Sequence, residues 1–311
     1  MDHAAAASPS RLRFGFQAGT DPKTVARLES SGVDSLWSGG HVMSGNPSGD
    51  AIVSLARLAA LSQRVQIGTA VLLLPLYPPA IVARQVADLD ISSDGRIILG
   101  VGVGGEYPQE FRACQVPLDE RGRRADEGIA VIRKLWTGQQ ISHTGTFYPM
   151  ADVRLIPGPG RPGGPPIVVA GRKTPAMRRA ALLGDGWMPY LYSARRYAAS
   201  TQIIRDFARQ AGRDLSGFGW FAYLFVNVAR SGSEARRKAA ELLGQRYNRD
   251  MTEMLDSIAT VGSPGEVAEK IETFAEAGAR HFVFSPLDAP EDQGRSIDLL
   301  IDSVIPQLTG R

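Results

Sequence analysis

The stretch VQIGTAVLLLPLYPPAIVARQVADLDISSDGRIILGVG (65–102) decides the fold. Residues 65–73 form an apolar run of strand type, and Pro75, Pro78 and Pro79 then break the pattern into a loop. Residues 79–93 carry apolar positions at helical spacing, and 97–102 is a second apolar run. Strand, loop, helix and buried strand in that order make a parallel βαβ unit, because two parallel strands need a long crossover between them. The same alternation continues outward. RFGFQ (13–17) and DSLWS (34–38) precede it; IVVAG (167–171), DGWMPY (185–190), FAYLFVNV (221–228) and HFVFSP (281–286) follow. Helical patterns at 51–63, 121–137, 174–183, 194–211 and 263–277 lie between them. In the last, Ser263-Pro264-Gly265-Glu266 has the spacing of a capping box, and Gly278 supplies the stop. Eight strand–helix units predict an α/β fold, a (β/α)8 TIM barrel, as one domain over 11–311. A doubly wound open sheet is the competitor that periodicity alone does not separate. One region interrupts the alternation: 139–166 reads as a hairpin around His143-Thr144-Gly145 followed by a Pro/Gly-rich loop, an insertion in the barrel.

Composition narrows the function classes. Among 311 residues, 35 Lys and Arg stand against 32 Asp and Glu, a net charge of +3 spread along the chain, with no basic cluster of the kind nucleic acid requires. The single cysteine, Cys114, excludes an internal disulfide framework and a Cys-based zinc site, and fits a reducing cytoplasm. The opening MDHAAAASPS has too short an apolar stretch for a signal peptide and reads as a disordered tail, 1–10. The most apolar segment, 70–83, is interrupted by prolines and falls short of the ~20 residues of a membrane span. His3, His41, His143 and His281 lack the spacing and acidic neighbours of a metal site, so no metal is expected.

In such a barrel, chemistry gathers in the loops after the strands. His41 follows Gly39-Gly40 after the second strand, placing an imidazole able to act as acid or base where the backbone can approach a planar ligand; the plainer alternative is a histidine satisfied by loop backbone. Gly100-Val101-Gly102-Val103-Gly104-Gly105 matches G-x-G-x-x-G, but it follows three earlier strands, and Glu106-Tyr107-Pro108 does not read as a helix start. Asp126 and Glu127, some 20 residues on, fall inside a helix. The glycines are therefore taken as room for a ligand's flat face, with Glu106 beside it. Ala170-Gly171-Arg172-Lys173-Thr174 joins a strand end to a helix start and suits a phosphate, against an ordinary basic turn. The run 121–127 reads as a solvated helix face with its own ion pairs.

GTAVLLLPLYPPAIVARQVADLDISSDGRIILGVGVGGEYPQEF, PLDERGRRADEGIAVIRKLWTG, AGRKTPAMRRAALLGDGWMPY and VGSPGEVAEKIETFAEAGARHFVF, in that order, resemble the bacterial luciferase-like flavin-dependent oxidoreductases. The resemblance implies a barrel with an insertion and a flavin or deazaflavin at its mouth. It matches His41 to the histidine near the cofactor ring, Ala70-Val71 to a cis peptide behind that ring, and Ala170-Gly171-Arg172 to the phosphate turn. Glu106 lies within one position of an acid of some deazaflavin members. Gly40, Thr69, Ala70, Val71, Gly104, Ala170, Gly171, Arg172 and Lys173 are the expected cofactor contacts, with His41 and Glu106 catalytic. Leu72, Leu74, Tyr77, Trp187 and Tyr190 are expected in the substrate pocket. Many members carry Asp before the histidine, where this chain has Gly40. The implied reaction is monooxygenation of a small organic substrate by reduced FMN and oxygen, with a separate flavin reductase as partner. Hydride transfer with coenzyme F-420 is the first alternative and a non-catalytic flavin binder the second; the early helices are expected to form a homodimer.

Overall fold

The structure, a computed structural model, describes residues 11–44, 47–288, 292 and 294–309, so the tail 1–10 lies outside the described residues. The chain folds as two compact units. Among the described residues, one comprises Gly15–Tyr190 and Ala199–Gly219, the other 11–14, Leu191–Ala198 and 220–309.

The larger unit takes in most of β1 (Arg13–Gln17) and then α1 (Pro22–Ser30), β2 (Ser35–Ser38), α2 (Ala51–Leu61), β3 (Gln66–Thr69), β4 (Leu72–Leu73), α3 (Pro79–Ser92) and β5 (Ile97–Gly102). It continues through α4 (Pro108–Ala113), α5 (Arg121–Leu135), β6 (Ile141–His143), β7 (Met150–Val153), β8 (Ile167–Ala170), α6 (Thr174–Leu183) and β9 (Gly186–Met188) to the later part of α7 (Ala194–Gln210). β1, β2, β3, β5, β8 and β9 pair in that order, all parallel. Their near-continuous burial fits strands covered on both faces. The run 65–73, expected as one strand, is two. β3 pairs with the start of β5 (Ile67 with Ile97), β4 with its end (Leu72 with Val101), and the Ala70–Val71 peptide bond between them is cis. Where the chain passes β5 it presses on Gly100, whose Cβ, if present, would lie 1.9 Å from the Thr69 carbonyl oxygen.

The hairpin of the insertion is present as β6–β7, antiparallel, with Ile141 opposite Val153. Its tip is tied to α5: the Glu127 carboxylate accepts backbone N–H groups of Thr146, Phe147 and Tyr148 at 2.7–3.1 Å. The Arg124 guanidinium lies 4.6 Å from the Phe147 ring centre. The 121–127 run is thus no self-paired solvated face. Arg124 pairs backward with Glu120, Asp126 pairs with Arg179 of α6, and Glu127 holds the hairpin. The Pro/Gly loop after the hairpin is fixed by Arg161, whose guanidinium donates to the fully buried Asp90 carboxylate of α3.

The smaller unit holds β10 (Gly219–Val228), α8 (Gly232–Tyr247), α9 (Leu255–Ile258), β11 (Thr260–Gly262), α10 (Pro264–Glu276), β12 (His281–Pro286), α11 (Arg295–Leu299) and α12 (Ile305–Thr309). β10 pairs in parallel with both β11 and β12; the three-residue β11 was not expected from the sequence. The capping box at Ser263 forms: Glu266 Oε2 accepts the Ser263 N–H at 2.7 Å and its hydroxyl at 2.8 Å. These bonds, with Arg236, hold the Glu266 carboxyl down at about 2. Glu266→Ala is expected to lower stability by about 1 kcal/mol, the usual size of a lost N-terminal cap, read as a lower urea midpoint with unchanged slope. Among the described residues, no helix is long and apolar enough to cross a membrane.

Candidate active site

β2 delivers Ser38-Gly39-Gly40-His41 to its end, and the two glycines are needed for close approach. A Cβ on Gly39 would sit 2.5 Å from the Ala70 carbonyl oxygen, and one on Gly40 would sit 2.3 Å from the Gly49 oxygen and 2.5 Å from the Ala51 nitrogen. The turn is packed against the cis peptide on one side and the start of α2 on the other, so no aspartate fits at position 40.

The His41 ring is held by an acid the sequence reading did not single out. Its Nδ1 lies 3.0 Å from Glu110 Oε1 and 3.2 Å from Oε2, and the same carboxylate accepts the Val42 N–H at 2.8 Å and the Met43 N–H at 3.2 Å. Glu110 is fully buried, while the His41 side chain is 27% exposed. A carboxylate at Nδ1 fixes the tautomer with the proton there and leaves Nε2 as the acceptor for a ligand. Tyr107 meets the imidazole edge-on, ring centres 5.0 Å apart. Glu110 reaches this position because Pro108 starts α4 directly after Tyr107. The expectation that no helix begins at 106–108 is thus corrected, although α4 has only six residues.

Glu106 goes elsewhere. Its exposed carboxylate accepts the Tyr190 hydroxyl at 2.5 Å, and the Arg172 guanidinium lies 4.6 Å from the Tyr190 ring centre. Burial, with the Glu106 charge, pushes the Tyr190 phenol well above its ordinary range. Glu106, Tyr190 and Arg172 form one cluster at the ends of β5, β9 and β8; His41 and Glu110 form another.

At the end of β8, Gly171 has φ of +139°, and its carbonyl accepts the Trp187 indole N–H at 2.9 Å. The ten-residue α6 then starts with no side-chain cap at Lys173; Pro175 carries no N–H and the Ala176 N–H donates to the Lys173 carbonyl at 2.9 Å, so of its first three residues only Thr174 has an N–H left for a ligand. Gly104, with φ of +63°, lies against Leu73 and Phe111. Several expected contacts prove to be packing. Thr69 is fully buried and its hydroxyl donates to the Gly100 carbonyl at 2.7 Å, which removes it as a cofactor contact. Leu72, Leu74 and Trp187 are core residues, Leu74 pressed towards Gly128 of α5. Tyr77 is half-buried and donates to Asp50 Oδ2 at 2.9 Å, while Asp50 Oδ1 caps α2 through the Ile52 and Val53 N–H groups. Among the described residues, no group of acids, histidines and cysteine could hold a metal ion.

The luciferase-like monooxygenase family model matches residues 13–281. An uncharacterised protein of Mycobacterium bovis is 38% identical over 146 residues, 47% of this chain and 49% of the relative, so the match spans about half of that relative's length. The F-420-dependent glucose-6-phosphate dehydrogenase of Amycolatopsis mediterranei is 26% identical, with 96% of this chain and 98% of the relative covered. A solved F-420-dependent secondary alcohol dehydrogenase, in complex with an F-420–acetone adduct, superposes with a TM-score of 0.83 at 20% identity, over 95% of this chain and 98% of that one. At that identity the likeness establishes the fold, a (β/α)8 barrel.

Proposed function

Because the chain belongs to the luciferase-like monooxygenase family, we propose that it is an oxidoreductase exchanging a hydride between a hydroxyl or carbonyl compound and the deazaflavin coenzyme F-420. The observation that carries this reading is the His41–Glu110 pair. Removing a hydride from an alcohol carbon also requires removing the hydroxyl proton, and an imidazole whose Nδ1–H is held by a carboxylate is a base aimed through Nε2. Oxygen insertion by reduced FMN, which the sequence placed first, does not call for such a pair. The likeness to an F-420-dependent relative over almost its whole length supports the same choice.

The residues fit a phosphorylated planar cofactor. The uncapped start of α6, following Gly171, Arg172 and Lys173, offers positive charge and the Thr174 N–H to a phosphate. The cis Ala70–Val71 peptide follows β3, and Gly104, at φ of +63°, lies beyond β5 against Leu73 and Phe111. The bound coenzyme supplies the ring carbon that accepts or returns the hydride. Gly171, Arg172 and Lys173 would anchor its phosphate; Ala70, Val71 and Gly104 would border its ring. His41 takes the substrate's hydroxyl proton at Nε2, and Glu110 keeps the ring in register. Calorimetric titration of the purified protein with F-420, FMN and reduced FMN tests this. F-420 is expected to bind at least about tenfold more tightly than either flavin, a difference of ~1.4 kcal/mol. Preference for reduced FMN, with an oxygen adduct on aeration, would replace hydride transfer by the monooxygenase reading.

A further inference from the structure

Glu106, Tyr190 and Arg172 meet where three strands of the larger unit end, and the proposed chemistry leaves the carboxylate without a task. Glu106 follows β5, is exposed, and accepts the hydroxyl of Tyr190 beyond β9 at 2.5 Å. The face of the same phenol carries the Arg172 guanidinium, 4.6 Å from the ring centre, at the end of β8. Arg172 also acts on the phenol by charge and hydrogen bond, in the sense opposite to Glu106. One tyrosine thus fixes a negative charge beside the cation of the turn. That cation matters, because α6 offers a ligand one N–H among its first three residues, that of Thr174. Recognition of a phosphate there falls on the charges of Arg172 and Lys173. Of the other cations near Glu106, Arg121 stands against Gly105 and donates through Nη1 to the Leu118 carbonyl at 2.6 Å.

We propose that Glu106 sets the phosphate charge this turn accepts: beside Arg172 and Lys173 it favours the single charge of a phosphodiester and disfavours the second charge of a phosphomonoester. The inference rests on the phosphate reading of the Gly171 turn and goes beyond it in naming the residue that separates two cofactor classes. F-420 carries its phosphate as a singly charged diester, whereas FMN carries a monoester that is mostly doubly charged above about pH 6. At the turn, two cations against one carboxylate leave one positive charge, which a diester matches and a monoester exceeds. Tyr190 is the positioning residue. Its hydroxyl, kept protonated by burial beside a carboxylate, holds Glu106 near the cation instead of in solvent.

Calorimetry with F-420, its phosphate-free riboside, FMN and riboflavin tests the filter without turnover, in the native chain and in Glu106→Gln. The amide keeps an oxygen to accept the Tyr190 hydroxyl, so the charge alone is removed. Loss of one negative charge acts in proportion to the charge of the ligand. At about fivefold per phosphate charge, the order of one exposed and screened pair, Glu106→Gln is expected to tighten F-420 about fivefold and FMN about 25-fold. The riboside and riboflavin, which lack the phosphate, should stay within about twofold. Tyr190→Phe frees the carboxylate to swing into solvent and is expected to give FMN part of that gain, but none in the Glu106→Gln background. A gain for riboflavin equal to that for FMN overturns the filter. So does FMN that binds no more tightly to Glu106→Gln than to the native chain. Failure of F-420 to bind overturns hydride transfer, whereas a gain seen with FMN and absent with riboflavin still stands for the filter.

Discussion

Replacement of His41 by Gln is expected to lower kcat for alcohol-dependent F-420 reduction by about 10²- to 10⁴-fold, the usual contribution of a positioned general base, with little change in F-420 affinity. Glutamine keeps a polar side chain of similar reach but cannot take a proton at neutral pH, so the loss isolates proton removal from packing. Glu110→Gln acts through His41 and is expected to cost less. One face of the amide would present its NH2 to the N–H groups of Val42, Met43 or His41 Nδ1, all of which now donate to the carboxylate. Leaving one such donor unsatisfied in a buried site costs about 1–3 kcal/mol, so kcat should fall by roughly 10- to 100-fold. The double variant should be hardly worse than His41→Gln alone, because two residues acting through one proton transfer do not add. Stopped-flow measurement of F-420 reduction at saturating cofactor decides the matter. If Glu110→Gln left both kcat and its pH profile untouched while His41→Gln abolished turnover, the carboxylate would be no more than a tether of the loop.

The barrel was legible because its strands are written as short apolar runs separated by helical ones, and both periods survive in one sequence. The His41 turn and the Gly171 turn were legible by position, since each follows such a run. Glu110 was not. Its partner lies 69 residues away, and α4, at six residues, is too short to show a helical period. Glu106 and Glu110 both follow β5, and choosing between them depends on one turn of helix that swings the later acid back to His41 and leaves the earlier one to Tyr190. The splitting of 65–73 was hidden for a similar reason: the apolar run is continuous, and only pairing against the two ends of β5 divides it. Tyr77 and Trp187 read alike in the sequence as pocket aromatics. Burial separates them, the indole fully enclosed and the phenol half-open beside Cys114.

A second large effect is expected in stability against pH. His281 on β12 is 4% exposed and stacked on Phe221, ring centres 4.7 Å apart. Burial, and secondarily the charge of Arg13, push its imidazole down to about 3 from an ordinary 6.5. The folded chain therefore keeps His281 neutral where the unfolded chain protonates it. A base depressed by folding contributes its full stability above the unfolded value of about 6.5 and loses it as the pH falls towards the folded value. Each unit below 6.5 removes about 1.4 kcal/mol, so between pH 7.5 and pH 5 this one residue costs about 2 kcal/mol. Carboxyls held low by their partners, Glu266, Asp214 and Asp292 among them, have the opposite window: they lose their contribution only as the pH drops below about 4.5. The interval from 7.5 to 5 therefore reads the histidine with little interference. Urea unfolding at the two pH values, with His281→Phe as the comparison, makes the difference visible. The native chain should lose about 2 kcal/mol more than the variant, which keeps a ring on Phe221 but has nothing to protonate. Equal losses in the two proteins would mean that His281 is either charged in the folded state or open to water, contrary to its packing.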